Sequence, residues 1–252
     1  MLFRSDVPLH FSALAATDGI GVMLRDTASF YAALAPDAHV FHMPVPLDVE
    51  RIAAVATDPA TREDVVLLTA PTRFCGPASQ MPIATHLVFR RLLADHPQLR
   101  GLCFCYDAEE ERQTQAMLAA LGLAARVTVQ RYVRPLGRFL DRVKTCRLAL
   151  GLPHAVLQGR TALVAACLGI PMVASEEIET HRTLFPDTTV RWHDVDAAVA
   201  AADRILCDAA FAHAVRDQAR RAVTYYALSP ARQRLDEALA VIHARRRQRE
   251  EA

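Results

Sequence analysis

The feature that most constrains this chain is a repeated alternation. Runs made largely of apolar residues, VVLLTAPT (65–72), LRGLCFCYD (99–107), RVTVQRYV (126–133), RLALGLP (147–153) and IPMVAS (170–175), alternate with helix-patterned stretches. Those stretches are IATHLVFRRLLADHP, AEEERQTQAMLAALGL, LGRFLDRVKTC and GRTALVAACLG. A strand that is apolar at successive positions, rather than every second one, has both faces covered. Strands joined by helices of about 10–15 residues leave room for the crossover that parallel pairing needs. The predicted fold class is therefore α/β, a doubly wound parallel, Rossmann-like sheet. DAAVAAADRILCD and the stretches after it predict a C-terminal helical cap.

Punctuation between the runs sharpens this. Gly122 and Gly169 each follow an apolar helical stretch, and Pro171 forbids helix beyond it, so both glycines are expected to end helices. Upstream, GIGVML and HVFHMPVP read as strands around a helix DTASFYAAL capped at Asp26 or Thr27, and a helix is expected from about Leu9 to Ala16. VPLDVERIAAVATDPATRED reads as a linker with a polar helix. The expected organisation is 1–60 as strand-helix-strand and linker, 61–200 as the Rossmann-like domain, and 201–252 as C-terminal helices. In an open parallel sheet, ligands bind beyond the carboxyl ends of the strands. That rule selects the loops after Thr69, Tyr106, Leu152 and Ala174.

Charge excludes some classes. With 29 basic and 28 acidic residues there is no field to hold a nucleic acid, and the basic run in ARRRQREEA reads as a solvated helix end. No run reaches the roughly 18–20 apolar residues that span a bilayer, and MLFRSDVPLHF lacks a leader's apolar centre. Cys103 and Cys105 share one face of a strand, with no second pair at ligand spacing, and read as buried free thiols in a reducing, cytoplasmic compartment. His39 and His42 fall on opposite faces of a strand, so no metal site is expected there. No nucleophile elbow, phosphate-cradling P-loop, zinc-protease helix or full dinucleotide fingerprint occurs. Trp192 is expected to pack at the sheet edge.

The ordered landmarks resemble a known family. VVLLTAPTRF, LVFRRLLADHPQLRGLCFCYD, MLAALGLAARVTVQRYV and GRTALVAACLGIPMVAS are similar, in that order, to the C-terminal, donor-binding half of GT-B glycosyltransferases, especially retaining family 4. Residues 20–48 then look like the last strand-helix-strand of the N-terminal half. The resemblance implies binding of a nucleotide sugar, as substrate rather than cofactor, and metal-independent transfer of the sugar to an acceptor. It implies that the helix beginning near Gly159 turns its N-terminus toward the diphosphate. Arg73, Arg160 and His154 would be the catalytic residues, Arg73 and Arg160 against the leaving diphosphate and His154 as an acid. Gly76, Ser79, Gln80, Gly159, Thr161, Ser175 and Glu177 would line the donor site.

The chain also departs from that pattern. The family's two glutamates correspond to Val156 and Val164, which accept no hydrogen bond. The cationic partner of Arg73 falls near Ser79 or Gln80, neither of them charged. Arg160 can replace that charge, and Glu176, Glu177 and Glu179 can take hydroxyl contacts or merely cap the next helix. Only the tail of the N-terminal half is present, so a protein partner that supplies the rest is one expectation. The alternative to an enzyme is a non-catalytic GT-B-like module serving as a regulatory or assembly subunit. A third reading is an unrelated Rossmann-like enzyme that holds another nucleotide in the same cleft.

Overall fold

The computed structural model describes residues 13, 16–69, 83–132, 134–154 and 158–251. In chain order these form β1 (Gly19–Val22), α1 (Ala28–Leu34), β2 (His39–His42), α2 (Val49–Ala53), β3 (Glu63–Leu68), α3 (Ile83–Asp95), β4 (Arg100–Cys105), α4 (Ala108–Ala120) and β5 (Val127–Arg131). There follow α5 (Leu136–Val143), β6 (Cys146–Gly151), α6 (Arg160–Leu168), β7 (Met172–Ser175), α7 (Glu179–Leu184), β8 (Thr189–Val190), α8 (Val195–Cys207), α9 (Ala209–Val223) and α10 (Leu228–Glu251). They divide into two compact units. Residues 49–224 form one; residues up to Asp48 and from Tyr225 onward form the other.

The larger unit holds a six-stranded sheet in the order β5-β4-β3-β6-β7-β8, every pair parallel. The order runs outward from β3 in one direction and then, from β6, in the other. Right-handed crossovers put the helices of the two directions on opposite faces. Both faces of the strands are covered, so the apolar runs are buried, with Val66, Leu68, Leu148, Leu150 and Val173 at the centre. Phe89 of α3 packs into the same cluster. The doubly wound α/β class expected from the alternation is the observed one. Trp192 is half-buried against this core, as a sheet-edge residue would be.

Helix ends follow local chemistry. Asp107, Asp194 and Asp208 precede α4, α8 and α9, and each carboxylate accepts a backbone N–H of the first turn at 2.8–2.9 Å. Such a cap is worth about 1 kcal/mol. Asp194→Ala is accordingly expected to lower the melting temperature by about 2–4 °C, read by thermal denaturation. At the other end of α6, Gly169 adopts φ +64, and the Ile170 and Gly169 N–H groups donate to the Ala165 and Ala166 carbonyls at 2.8 and 3.1 Å. This is the left-handed closure that Gly allows at little cost. Arg62 finishes it by donating to the carbonyls of Gly169 and Leu168 at 2.6 and 2.7 Å. Burial, with Arg216 and Arg220 nearby, pulls the Arg62 guanidinium down to about 10.

α2 is more than a polar linker. Val49 and Ile52 are buried, and the helix packs on α6. The expected helix DTASFYAAL begins instead with a 3-10 turn at Arg25–Thr27, and the Thr27 hydroxyl donates back to the Leu24 carbonyl at 2.8 Å rather than capping α1. Most of the helix expected at Leu9–Ala16 lies outside the described residues. In the smaller unit β1 and β2 form a parallel two-stranded ladder around Ile20, Val22, Ala35 and Ala38. α10 joins it through Ile242, which lies over Gly19, and through an Arg249–Asp18 ion pair at 2.6 Å. Tyr225 sits between the guanidinium groups of Arg25 and Arg234, its hydroxyl 2.7 Å from His42 Nδ1. Among the described residues no helix is long and apolar enough to cross a membrane.

Candidate functional site

The strand order reverses between β3 and β6, and there the carboxyl ends of neighbouring strands lead in opposite directions. A crevice at such a reversal is the ligand position of open α/β sheets. Thr69 follows β3 and donates its N–H to the Leu150 carbonyl at 3.1 Å. Its Oγ1 is buried and has no hydrogen-bond partner among the described residues. Leu152 follows β6 and donates its N–H to Thr85 Oγ1 in the first turn of α3, at 3.0 Å and fully buried. The two strand ends and the start of α3 are thus stitched together by hydroxyl and amide groups.

α6 begins at the same edge. Gly159 is its N-cap, in the left-handed region at φ +69, and makes no side-chain capping bond. The Gly159 carbonyl accepts from the N–H groups of Ala162 and Leu163 at 3.0 and 3.3 Å. The N–H groups of Arg160 and Thr161 precede the first intrahelical bond and carry the positive end of the helix dipole. Arg160 is exposed and Thr161 half-buried.

What fixes this helix start is a residue that no spacing in the sequence singled out. His181, on α7, is buried, and Ser175 donates its backbone N–H to His181 Nδ1 at 3.2 Å. A backbone N–H can only donate, so Nδ1 accepts and Nε2 carries the ring hydrogen. A Cβ on Gly159 would lie 3.0 Å from His181 Cδ2, 3.1 Å from Nε2 and 3.1 Å from Ile178 Cγ2. Only glycine lets the backbone pass this close. Burial, then the Arg182 charge, lowers the His181 pKa to about 4, so the ring is neutral at physiological pH. The end of β7, the start of α7 and the start of α6 are therefore locked by one neutral imidazole.

Of the expected site residues, Gly159 and Ser175 meet at His181, and Arg160 and Thr161 follow Gly159 in the first turn of α6. Ser175 is buried, and its Oγ accepts the Glu177 N–H at 3.2 Å, which leaves the Glu177 side chain exposed. His154, just past β6, is exposed with its ring edge-on to Trp192 at 5.1 Å. Arg73, Gly76, Ser79 and Gln80 lie outside the described residues, as does Val156. Val164 is buried within α6. Glu176 pairs with Arg191 at 3.5 Å, and Glu179 is buried in the first turn of α7. The sequence placed Thr69 at a strand end beside the ligand edge; the residues missed from it are His181 and Thr85.

No family model matches the chain, and no curated protein matches it in sequence. Solved structures do match. A sucrose-phosphate synthase from Thermosynechococcus elongatus aligns over 97% of this chain at TM-score 0.67 and 17% identity. An α,α-trehalose 6-phosphate synthase from Burkholderia multivorans aligns over 98% at TM-score 0.74 and 15% identity. Anabaena HepE, solved with UDP and glucose, aligns over 93% at TM-score 0.72 and 12% identity. The chain has the fold of one half of a GT-B protein. Its doubly wound sheet and C-terminal helix match the Rossmann-like half of that fold. The chain spans 62% of the sucrose-phosphate synthase, 64% of the trehalose 6-phosphate synthase and 66% of HepE. At these identities the likeness speaks for the GT-B fold alone.

Proposed function

We propose that this chain binds a nucleotide sugar at the carboxyl ends of β3 and β6 and transfers the sugar to an acceptor. The observation that carries this reading is the start of α6: two N–H groups without intrahelical partners, at the strand-order reversal, held there by Gly159 against His181. Such a helix end favours the negative charge of a diphosphate. Arg160 adds a cation in the first turn, and Arg73 would add another from the loop after β3, with Gly76, Ser79 and Gln80 beside it. As the sugar leaves, charge grows on the diphosphate, and donors already aimed at it lower the barrier. His154 would serve as an acid, and Ser175 and Glu177 would meet donor hydroxyls. The reaction needs no resident cofactor, the donor being the substrate. The buried thiols of Cys103, Cys105, Cys146 and Cys167 suit a reducing, cytoplasmic compartment.

A second reading is favoured by Val164. It is buried on α6 where the resemblance implies a glutamate that grips ribose. On this reading the chain is a non-catalytic GT-B-like module that serves as a regulatory or assembly subunit, with a protein partner supplying what it lacks.

Thermal stabilisation by UDP-, GDP-, ADP-, TDP- and CMP-sugars separates the two. A donor at about 100 times its dissociation constant adds about 2.7 kcal/mol, or about 5–11 °C in melting temperature. The expected result is a shift with one nucleotide class, strongly reduced in Arg160→Ala, together with release of the nucleoside diphosphate when an acceptor is supplied. Binding without release favours the second reading. No shift with any nucleotide rejects donor binding by this chain.

A further inference from the structure

We infer that His96, Asp203 and Cys207 form a divalent-metal site whose chemistry selects zinc. His96 lies just past the C-terminal end of α3; Asp203 and Cys207 lie one turn apart in the last two turns of α8. His96 Nε2 stands 2.8 Å from Asp203 Oδ1, Cys207 Sγ stands 3.5 Å from the same oxygen, and the three ligand atoms all fall within 4.8 Å of one another. Imidazole nitrogen, carboxylate oxygen and thiolate sulfur are the three ligand types that zinc accepts, and three protein ligands leave its fourth, tetrahedral position to water.

The two separations at the Asp203 carboxylate need little change. Zinc–ligand bonds of about 2.0–2.3 Å on tetrahedral axes set ligand atoms about 3.3–3.8 Å apart. The carboxylate–thiol separation already lies in that range. The imidazole–carboxylate separation is that of a hydrogen bond and must open by about half an ångström as the metal replaces the shared hydrogen. Asp203 and Cys207 are exposed, so their side chains have room to turn toward the half-buried His96. In binding, the Cys207 thiol gives its proton to solvent and a sulfur–metal bond replaces the sulfur–hydrogen bond; the hydrogen shared with Asp203 also leaves to solvent, and His96 binds neutral through Nε2 with its one ring hydrogen on Nδ1. Asp95 adds negative charge near the thiol, and Arg147, the nearby cation, is paired with Asp64 at 2.7 Å.

The site is remote from the candidate donor site. His96 precedes β4, and so stands at the amino end of the sheet, whereas the α6 start lies at the carboxyl end. α3 packs along α8, and a bound ion pins the end of one to the end of the other. The metal is therefore a clamp between helices, independent of sugar transfer.

Cobalt is the probe, because zinc is spectroscopically silent. The full chain, reduced with a phosphine that does not compete for metal, is titrated with Co2+ and then displaced with Zn2+. The expected result is one ion per chain with a thiolate-to-cobalt charge-transfer band. The band is lost in Cys207→Ser, kept in Cys75→Ser, and needs about 100-fold or more metal in Asp203→Asn and His96→Gln. Zinc should also raise the melting temperature of the wild type and not of Cys207→Ser. A band that survives Cys207→Ser, no band at all, or unchanged affinity in Asp203→Asn overturns the assignment.

Discussion

Acidification from neutral pH to about 4 is expected to remove about 3 kcal/mol of stability through His181 alone. The unfolded ring titrates near 6.5, the folded one near 4, because burial and then the Arg182 charge disfavour the imidazolium. Above the unfolded value both states carry a neutral ring and the group contributes no slope. As pH falls from 6.5, the unfolded chain takes up a proton that the folded chain refuses, so stability declines, and it goes on declining until the folded ring titrates near 4. A separation of about two and a half pKa units corresponds to about 3 kcal/mol. Urea denaturation at a series of pH values reads this slope. His181→Gln keeps a hydrogen-bond acceptor for the Ser175 N–H but does not titrate. Its stability curve should run flatter than the wild type's between pH 6.5 and 4. Parallel curves would mean that the ring is not held neutral where it lies.

The other large effect is expected at Gly159. Gly159→Val puts a branched side chain at φ +69, where left-handed backbone costs a non-glycine residue about 1–2 kcal/mol. It also drives a Cβ to 3.0–3.1 Å from His181 and Ile178. His181 cannot turn aside, because its Nδ1 is tied to Ser175. Overpacking of this kind costs about 1–3 kcal/mol more, so a total loss of about 2–5 kcal/mol is expected in chemical denaturation. A displaced α6 start should also weaken nucleotide-sugar binding about tenfold or more, since 1.4 kcal/mol of lost contact is a factor of ten. Gly169 makes the comparison. There φ is +64, but the neighbour is the guanidinium end of Arg220, which can swing away, so Gly169→Ala should cost only about 1 kcal/mol. Equal losses at the two glycines would mean that backbone conformation, and not the approach to His181, sets the cost.

The parts of this molecule that are local in sequence could be read from it. Apolar runs of five or six residues told of covered parallel strands, and Gly169 with Pro171 told of a helix stop, because those signals act within a few residues of their cause. The GT-B likeness was carried by landmark order. Properties that join distant residues stayed hidden. His181 becomes important only because β7, α7 and α6 converge on it, and nothing in EEIETHRTLFP separates it from the chain's other nine histidines. His96 and Asp203 lie 107 positions apart, and their meeting depends on how α3 and α8 pack. α2 read as polar because Glu50 and Arg51 sit at its centre and charged residues surround it, yet Val49 and Ile52 are what it buries.

The division of the chain into two units also orders its birth on the ribosome. Residues 49–224 hold everything that the six-stranded sheet needs, and they are complete before Tyr225 is added. The β1–β2 ladder is made earlier but finishes later, because Ile242 and Arg249, which meet Gly19 and Asp18, belong to the final helix. At about 5–20 residues per second, roughly 200 residues of synthesis separate the two, an interval of about 10–40 s. A two-stranded ladder is marginal by itself in water. β1 and β2 thus leave the exit tunnel ahead of the six sheet strands yet are locked after them, and during that interval their ladder edges stay unpaired.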